Sequence, residues 1–442
     1  MADRYWVGGT GTWNTSSTTN WSASSGGGSG ASVPTAADNV IFDQAATYTV
    51  TLTGVLACLS ITVSAGTVTF SSTGTLAVSG SMSLVAATVW SATGTITFNS
   101  TSTGNTVTTN GVTMSNSMTF NGVGGSWQLQ SALTLGSTRL TTLTNGTLDL
   151  NNYTLTTGIY AGTGSGVRSL LSYGVPIVLT GSSTAGNTLN IIVVGTSTNF
   201  TVDTRPTFNL TSSPVATAGT RNMSWGGGTN FAALANINVT NGSDTVTSSG
   251  TSSFNNITFS GTFTGTWGNF TRSIYGSLTF KTGMTVASGT SLNTFNGVGS
   301  QTITTVGFTL DFPITFNGVG GTWAMQDALT MGSTQALTMT NGTLQLKSGT
   351  TNTVGSFATS GTNQKYLQST TPGAQATLSA ASGTNTVSYL TIQDSNATGG
   401  ATWSALSSSI DAGNNTGWIF SPSDVGFGTG NGGTCFGFGF RI

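Results

Sequence analysis

The sequence predicts an all-β protein, a parallel β-solenoid (single-stranded β-helix) with atypical capping segments at both ends. Three observations carry that expectation. Apolar residues alternate with Thr and Ser at period two in short runs, the chain contains an internal duplication with finer steps of 21–24 residues, and the charged residues that normally clothe helices are nearly missing.

The alternation begins at residue 48. Tyr48, Val50 and Leu52 are separated by Thr, and Leu59, Ile61 and Val63 alternate with Ser and Thr. The same spacing recurs at Val68/Phe70, Leu76/Val78 and Met82/Leu84. Such runs predict strands of three to five residues with an apolar inner face and a hydroxyl-bearing outer face, where β-branched Thr suits a pleated surface. Stretches longer than ten residues without Gly, Pro or Asn are few and rich in Thr, Ser and Val, which argues against long helices.

The repeats give the architecture. Residues 108–150 align without gaps to 304–346 at an offset of 196, with 26 of 43 positions identical. A weaker echo at 257–276 places Phe259, Trp267 and Gly276 on the Phe120, Trp127, Gly136 pattern. Phe98 to Phe120 is 22 residues, Phe295 to Phe316 is 21, and Asn121 to Asn145 and Asn317 to Asn341 are each 24. Steps of this size, holding two or three short strands and Asn-Gly corners, predict coils stacked by parallel pairing with ladders of like side chains inside. The body, 48–390, then holds on the order of 15 coils and forms a rod of roughly 70 Å at about 4.8 Å per coil. A β-propeller, the competing repeat architecture, needs periods of about 40–50 residues.

Composition excludes several functions. The 442 residues include 10 Lys+Arg, 11 acids that are all Asp, and no His, so 5% are charged where about 25% is usual. His-based acid–base chemistry is therefore excluded, as are metal sites built on His or Cys clusters, since the cysteines are Cys58 and Cys435 alone. Scattered cations give no basic face for nucleic acid, and no apolar run approaches the roughly 18 residues of a membrane span. Disorder is excluded by a 36% hydrophobic content that includes 22 Phe and 10 Trp. The Gly26–Gly30 stretch lacks a following Gly-Lys-Ser/Thr, so it reads as a flexible corner rather than a phosphate loop. No catalytic residue, metal ligand or cofactor-binding residue is assigned.

The ends differ from the body. Residues 1–47, with Trp6, Trp13 and Trp21, read as an N-terminal cap or anchor, because an open solenoid end exposes core and unpaired backbone. Residues 391–442 form a closing motif and a Gly/Phe tail, in which Phe436, Phe438 and Phe440 are candidate subunit contacts and Cys435 lies alongside. The N-terminus shows no charged region followed by an apolar stretch, which is the expectation for a virion protein or for secretion without such a signal.

Three stretches resemble β-helix surface proteins of phages and environmental bacteria, of the tail fibre and tailspike kind. They are YWVGGTGTWNTSSTTNWS…GASVPTAADNVIFD (5–43), NGVGGSW…LTNGTLDLNNYTL (121–155, with its second copy at 317–346) and LTIQDSNATGGATW…SIDAGNNTGWIF (390–420). The resemblance implies a homotrimeric rod on the virion surface that contacts other virion proteins and a host-surface glycan. A secreted bacterial adhesin or extracellular fibril subunit is the alternative, with a polysaccharide depolymerase as the third reading.

The depolymerase reading needs paired carboxylates. The pairs that the motifs bring together are Asp38 with Asp43 and Asp394 with Asp411, both read here as turn caps. Asp203 and Arg205 could begin a lyase site and read instead as a surface ion pair. Trp127 and Trp323 hold matching repeat positions and read as core. Trp225 lies outside the repeat pattern and is the candidate receptor contact. Cys58, amid apolar strand residues, reads as buried.

Overall fold

The computed structural model describes residues 1–184, 186–195, 199–211, 219–226, 234–250 and 252–421. Among these there is no helix, hence none long and apolar enough to cross a membrane. The chain winds into a parallel β-solenoid of about 16 turns, a rod of roughly 75 Å at about 4.8 Å per turn. One stack of 14 strands runs from Thr113–Met114 to Ile410–Asp411, every neighbour one coil on in sequence.

The period-two pattern sets which side chains enter. In the Phe98 ladder, Phe98 pairs with Phe120 and Phe120 with Leu143, while Thr97, Thr119 and Thr142 form the outer column beside it. The second copy repeats this with Phe295, Phe316 and Met339 inside and Thr294, Thr315 and Thr338 outside. Rings stack in both: Phe98 on Phe120 at 5.0 Å and 7°, Phe295 on Phe316 at 5.1 Å and 22°. The Trp127 and Trp323 indoles close against these pairs and are fully buried, as their matched positions predict. The strands are mostly short, but Met118–Leu129 and Leu140–Asp149 run through their Asn-Gly corners, with register shifts between Phe120 and Ser126.

One glycine is dictated by the corner beneath it. Gly146 and Gly342 lie one coil beyond Trp127 and Trp323, both with φ of 82°. A Cβ there would press on the indole and on two carbonyls of the preceding corner. Only a residue without a side chain accepts both the left-handed backbone and that approach.

The N-terminal segment packs as a staple. Trp6, Trp13 and Trp21 are buried around Phe42, with Trp6–Trp21 centroids 5.1 Å apart. Strand Asp3–Trp6 runs antiparallel to Trp21–Ser22, the one antiparallel strand pair among the described residues. The same segment also joins the coil, since Asp3–Trp6 pairs parallel with Asn39–Phe42 and Gly11–Trp13 with Thr47–Leu52.

Composition read as a scatter of surface charge misplaces four cations. Arg168, Arg221, Arg272 and Lys365 are 2% exposed or less. Arg168, Arg272 and Lys365 each donate to the carbonyl four residues back, at Gly164, Gly268 and Gly361 (2.8, 2.7 and 3.0 Å). Arg272 also lies 3.6 Å over the Trp267 ring, and burial pushes its pKa down to about 9. Arg221 instead pairs with Asp244 at 2.6 Å. Buried cations of this kind persist because carbonyls, a carboxylate or an aromatic face replace their water.

Candidate functional site

Corners, not pockets, use most of the polar side chains that stand out in the sequence. At three corners a left-handed residue precedes a left-handed glycine: Asn110-Gly111, Tyr173-Gly174 and Val306-Gly307. Two positive φ values in succession form the tight turn that Asn-Gly favours and that a β-branched Val resists. Each corner is clasped from the next coil. The Ser131 hydroxyl accepts the Thr109 and Asn110 N–H groups, the Asp203 carboxylate those of Ser172 and Tyr173, and the Asp327 carboxylate those of Thr305 and Val306. Burial raises the pKa of Asp203, but the backbone N–H groups of Ser172, Tyr173 and Thr204 outweigh it and hold the carboxyl below the ordinary value.

Of the other candidate carboxylates, Asp38, Asp394 and Asp411 also cap turns. Asp38 accepts the Thr35 N–H and hydroxyl at 3.0 and 2.8 Å. Burial raises its pKa, but those bonds together with Arg4 leave it lowered. Asp394 accepts from Gly373 N–H and Asn414, and Asp411 from Gly413 N–H and Asn415. Asp203 thus serves the corner of the coil before it, and Arg205 lines a groove with Tyr275.

Trp225 requires a correction. It was the candidate exposed contact, yet it is 1% exposed and packs edge-on against Phe200 and Phe208. Strand Thr220–Trp225 alternates outward and inward, and Trp225 follows Arg221 and Met223 on the inner side. Cys58 is buried, and burial drives its thiol pKa upward. Phe436, Phe438, Phe440 and Cys435 lie outside the described residues.

The outer surface is built of ladders. One column runs Thr113, Thr134, Thr156, Val178, Asn209, Asn238, Thr258, Thr279 over successive coils. Beside the second copy, Asn296, Asn317, Asn341 and Asn363 form an amide chain with links of 3.2, 2.8 and 2.7 Å. Equal coil spacing places each amide within reach of the next, and uncharged groups stack without repulsion.

Two adjoining cavities of about 380 and 470 Å³ open along this amide chain and share Tyr275 and Val298. The first contains Arg205, Ser300 and Gln301, and the second Asn317 and Val319. Val298 and Val319 are 61% and 68% exposed, each at the tip of an Asn-Gly-Val-Gly corner. Gln301 is buried to 8% exposure. Its amide N–H donates to the Val298 carbonyl at 2.6 Å, and its Oε1 has no hydrogen-bond partner. The first copy has one such corner, at Val123, and a smaller cavity of about 260 Å³ beside Gln128 and Asp149. Among the described residues no group of three His, Cys, Asp or Glu side chains converges as a metal site.

No protein-family model, curated protein or solved structure matches the chain. The likeness to phage surface proteins therefore rests on the quoted motifs, while the solenoid rests on the parallel pairing of coil on coil.

Proposed function

We propose that the protein is a non-enzymatic attachment rod, a fibre or tailspike-like β-solenoid that projects from a virion and contacts a host-surface glycan through its side. The observation that carries this reading is the outer face, where Thr, Ser and Asn columns run coil after coil and a groove opens among exposed Val298 and Val319 and the half-buried Tyr275. Hydroxyls and amides match sugar hydroxyls as donors and acceptors, and a stack of similar coils offers similar contacts many times. Carboxylates at Asp38, Asp203, Asp327 and Asp394 are engaged by corner N–H groups, which fits structural use. A homotrimer would multiply weak single contacts into firm adhesion.

Immunogold labelling with antibody to the purified chain tests this reading. Gold on projections of released particles is the expected result. Gold confined to cell-surface fibrils, with none on particles, would move the assignment to a secreted adhesin. Release of reducing ends from host polysaccharide by the purified chain would overturn the non-enzymatic reading.

A further inference from the structure

We propose that Asn241 modifies itself: the Gly242 backbone nitrogen attacks the Asn241 side chain, ammonia leaves, and a carboxylate replaces the amide, independently of the attachment reading above. Among the described residues seven Asn precede a Gly, at 110, 121, 145, 241, 296, 317 and 341. At six of them the side-chain amide bonds a neighbouring coil: Asn110 reaches the Leu84 carbonyl, and Asn145–Asn121 and Asn341–Asn317–Asn296 link amide to amide. Asn241 differs, because its Oδ1 also accepts the N–H of its own glycine at 2.8 Å. In the cyclic imide the nitrogen carries Cγ where its hydrogen was, so an N–H aimed at this amide lies near the attacking geometry.

Charge that develops in the reaction is met on both sides. Arg221 Nη2 donates to the Asn241 backbone carbonyl at 2.8 Å. That carbonyl belongs to the attacking peptide group, so the guanidinium stabilises the anion left when the Gly242 N–H loses its proton. The Thr262 hydroxyl donates to Asn241 Oδ1 at 3.0 Å, where the oxyanion of the tetrahedral intermediate forms. Asp244 pins the Arg221 head through Nε at 2.6 Å. Gly242 has a φ of 123°, and a Cβ there would collide with Arg221 Nη2, so the attacking residue stays unshielded. Asn241 is half-buried and so within reach of water. Hydroxide takes the Gly242 proton, the N–Cγ bond forms, the Cγ–Nδ2 bond breaks, and Nδ2 leaves as ammonia with a proton from water. Water then opens the imide at either carbonyl and leaves aspartate or isoaspartate. Either product sets a second carboxylate near Asp244, and isoaspartate lengthens the corner between strands Asn236–Val239 and Thr245–Ser248.

Ageing the full chain at neutral and mildly alkaline pH tests this. Trypsin then releases residues 222–272, which contain Asn241-Gly242 as their one Asn-Gly. Mass spectrometry and isoaspartyl methyltransferase labelling of the digest should show conversion at Asn241 about tenfold or more faster than at any of the other six, and rising with hydroxide. Thr262→Val, at an exposed position where folding is not at stake, should slow it about threefold or more. Asn241→Gln should abolish the signal from this peptide. In urea the seven sites should converge, since their order comes from the fold. Conversion at Asn241 no faster than elsewhere, an order that persists in urea, or a rate indifferent to Thr262→Val would overturn the assignment.

Discussion

The two copies of the duplicated unit, 108–150 and 304–346, share an interior and differ on the outside. Inside, Phe98–Phe120–Leu143 and Phe295–Phe316–Met339 hold the same ladder, Trp127 and Trp323 close it, and Gly146 and Gly342 yield to the carbonyls of the preceding corner at the same φ. One coil further, Arg168 and Lys365 stand in register with Gly146 and the neighbours of Thr343, and both bond the carbonyls of their own corners. Outside, Asp149 becomes Gln345 and Ser131 becomes Asp327, and a second Asn-Gly-Val-Gly corner appears at 296–299 beneath the one at 317–320. A stacked coil fixes the volume and backbone of each inner position because its neighbours lie about 4.8 Å away on either side. The outer positions are constrained only to remain soluble and pleated, so recognition can diverge there.

The largest effect should come from breaking the shared interior. Trp127→Ala and Trp323→Ala should each destabilise by about 3–5 kcal/mol, seen as matched shifts in urea unfolding midpoints. A large disparity between them would mean that the copies are not equivalent supports. Next, Gly146→Ala and Gly342→Ala should each cost at least about 1–3 kcal/mol from left-handed strain, with added pressure on the indole.

The corner clasp sharpens the comparison, since a hydroxyl does in one copy what a carboxylate does in the other. Asp327→Ala should cost about 1–3 kcal/mol by stranding the Thr305 and Val306 N–H groups. Asp327→Ser, which imports the first copy's solution, should recover much of that in the same assay. The smallest effect concerns acid. The Asp203 carboxyl is lowered from its ordinary 3.8, so the stability it adds is fully present above that value and fades as pH falls through the lower, folded value. Asp203→Asn should flatten the acid limb of a thermal-stability profile, whereas Ser131→Ala should leave its shape unaltered.

Much of this was legible in the residues. Period-two alternation gave the inner face, and the duplication gave the ladder partners at Phe120/Phe316 and Trp127/Trp323. Trp225 was misread because it lies outside the duplicated unit, although the alternation Arg221, Met223, Trp225 already placed it inward. The buried cations were missed because charge is ordinarily read as surface. Their signal was a Gly four residues before the cation at 164/168, 268/272 and 361/365. The groove was the hardest to foresee, since its walls come from separate coils. Its trace was the Asn-Gly-Val-Gly tetrad repeated 21 residues apart at 296 and 317, which stacks two exposed valines.

Paired substitution at the matched tips, Val123→Asp in the first copy and Val298→Asp in the second, tests most directly whether a shared interior carries a divergent exterior. Both variants should unfold at the wild-type urea midpoint, and only Val298→Asp should lose binding of the purified chain to host cells. Equal loss of binding from both tips, or a lowered midpoint at either, would contradict the account.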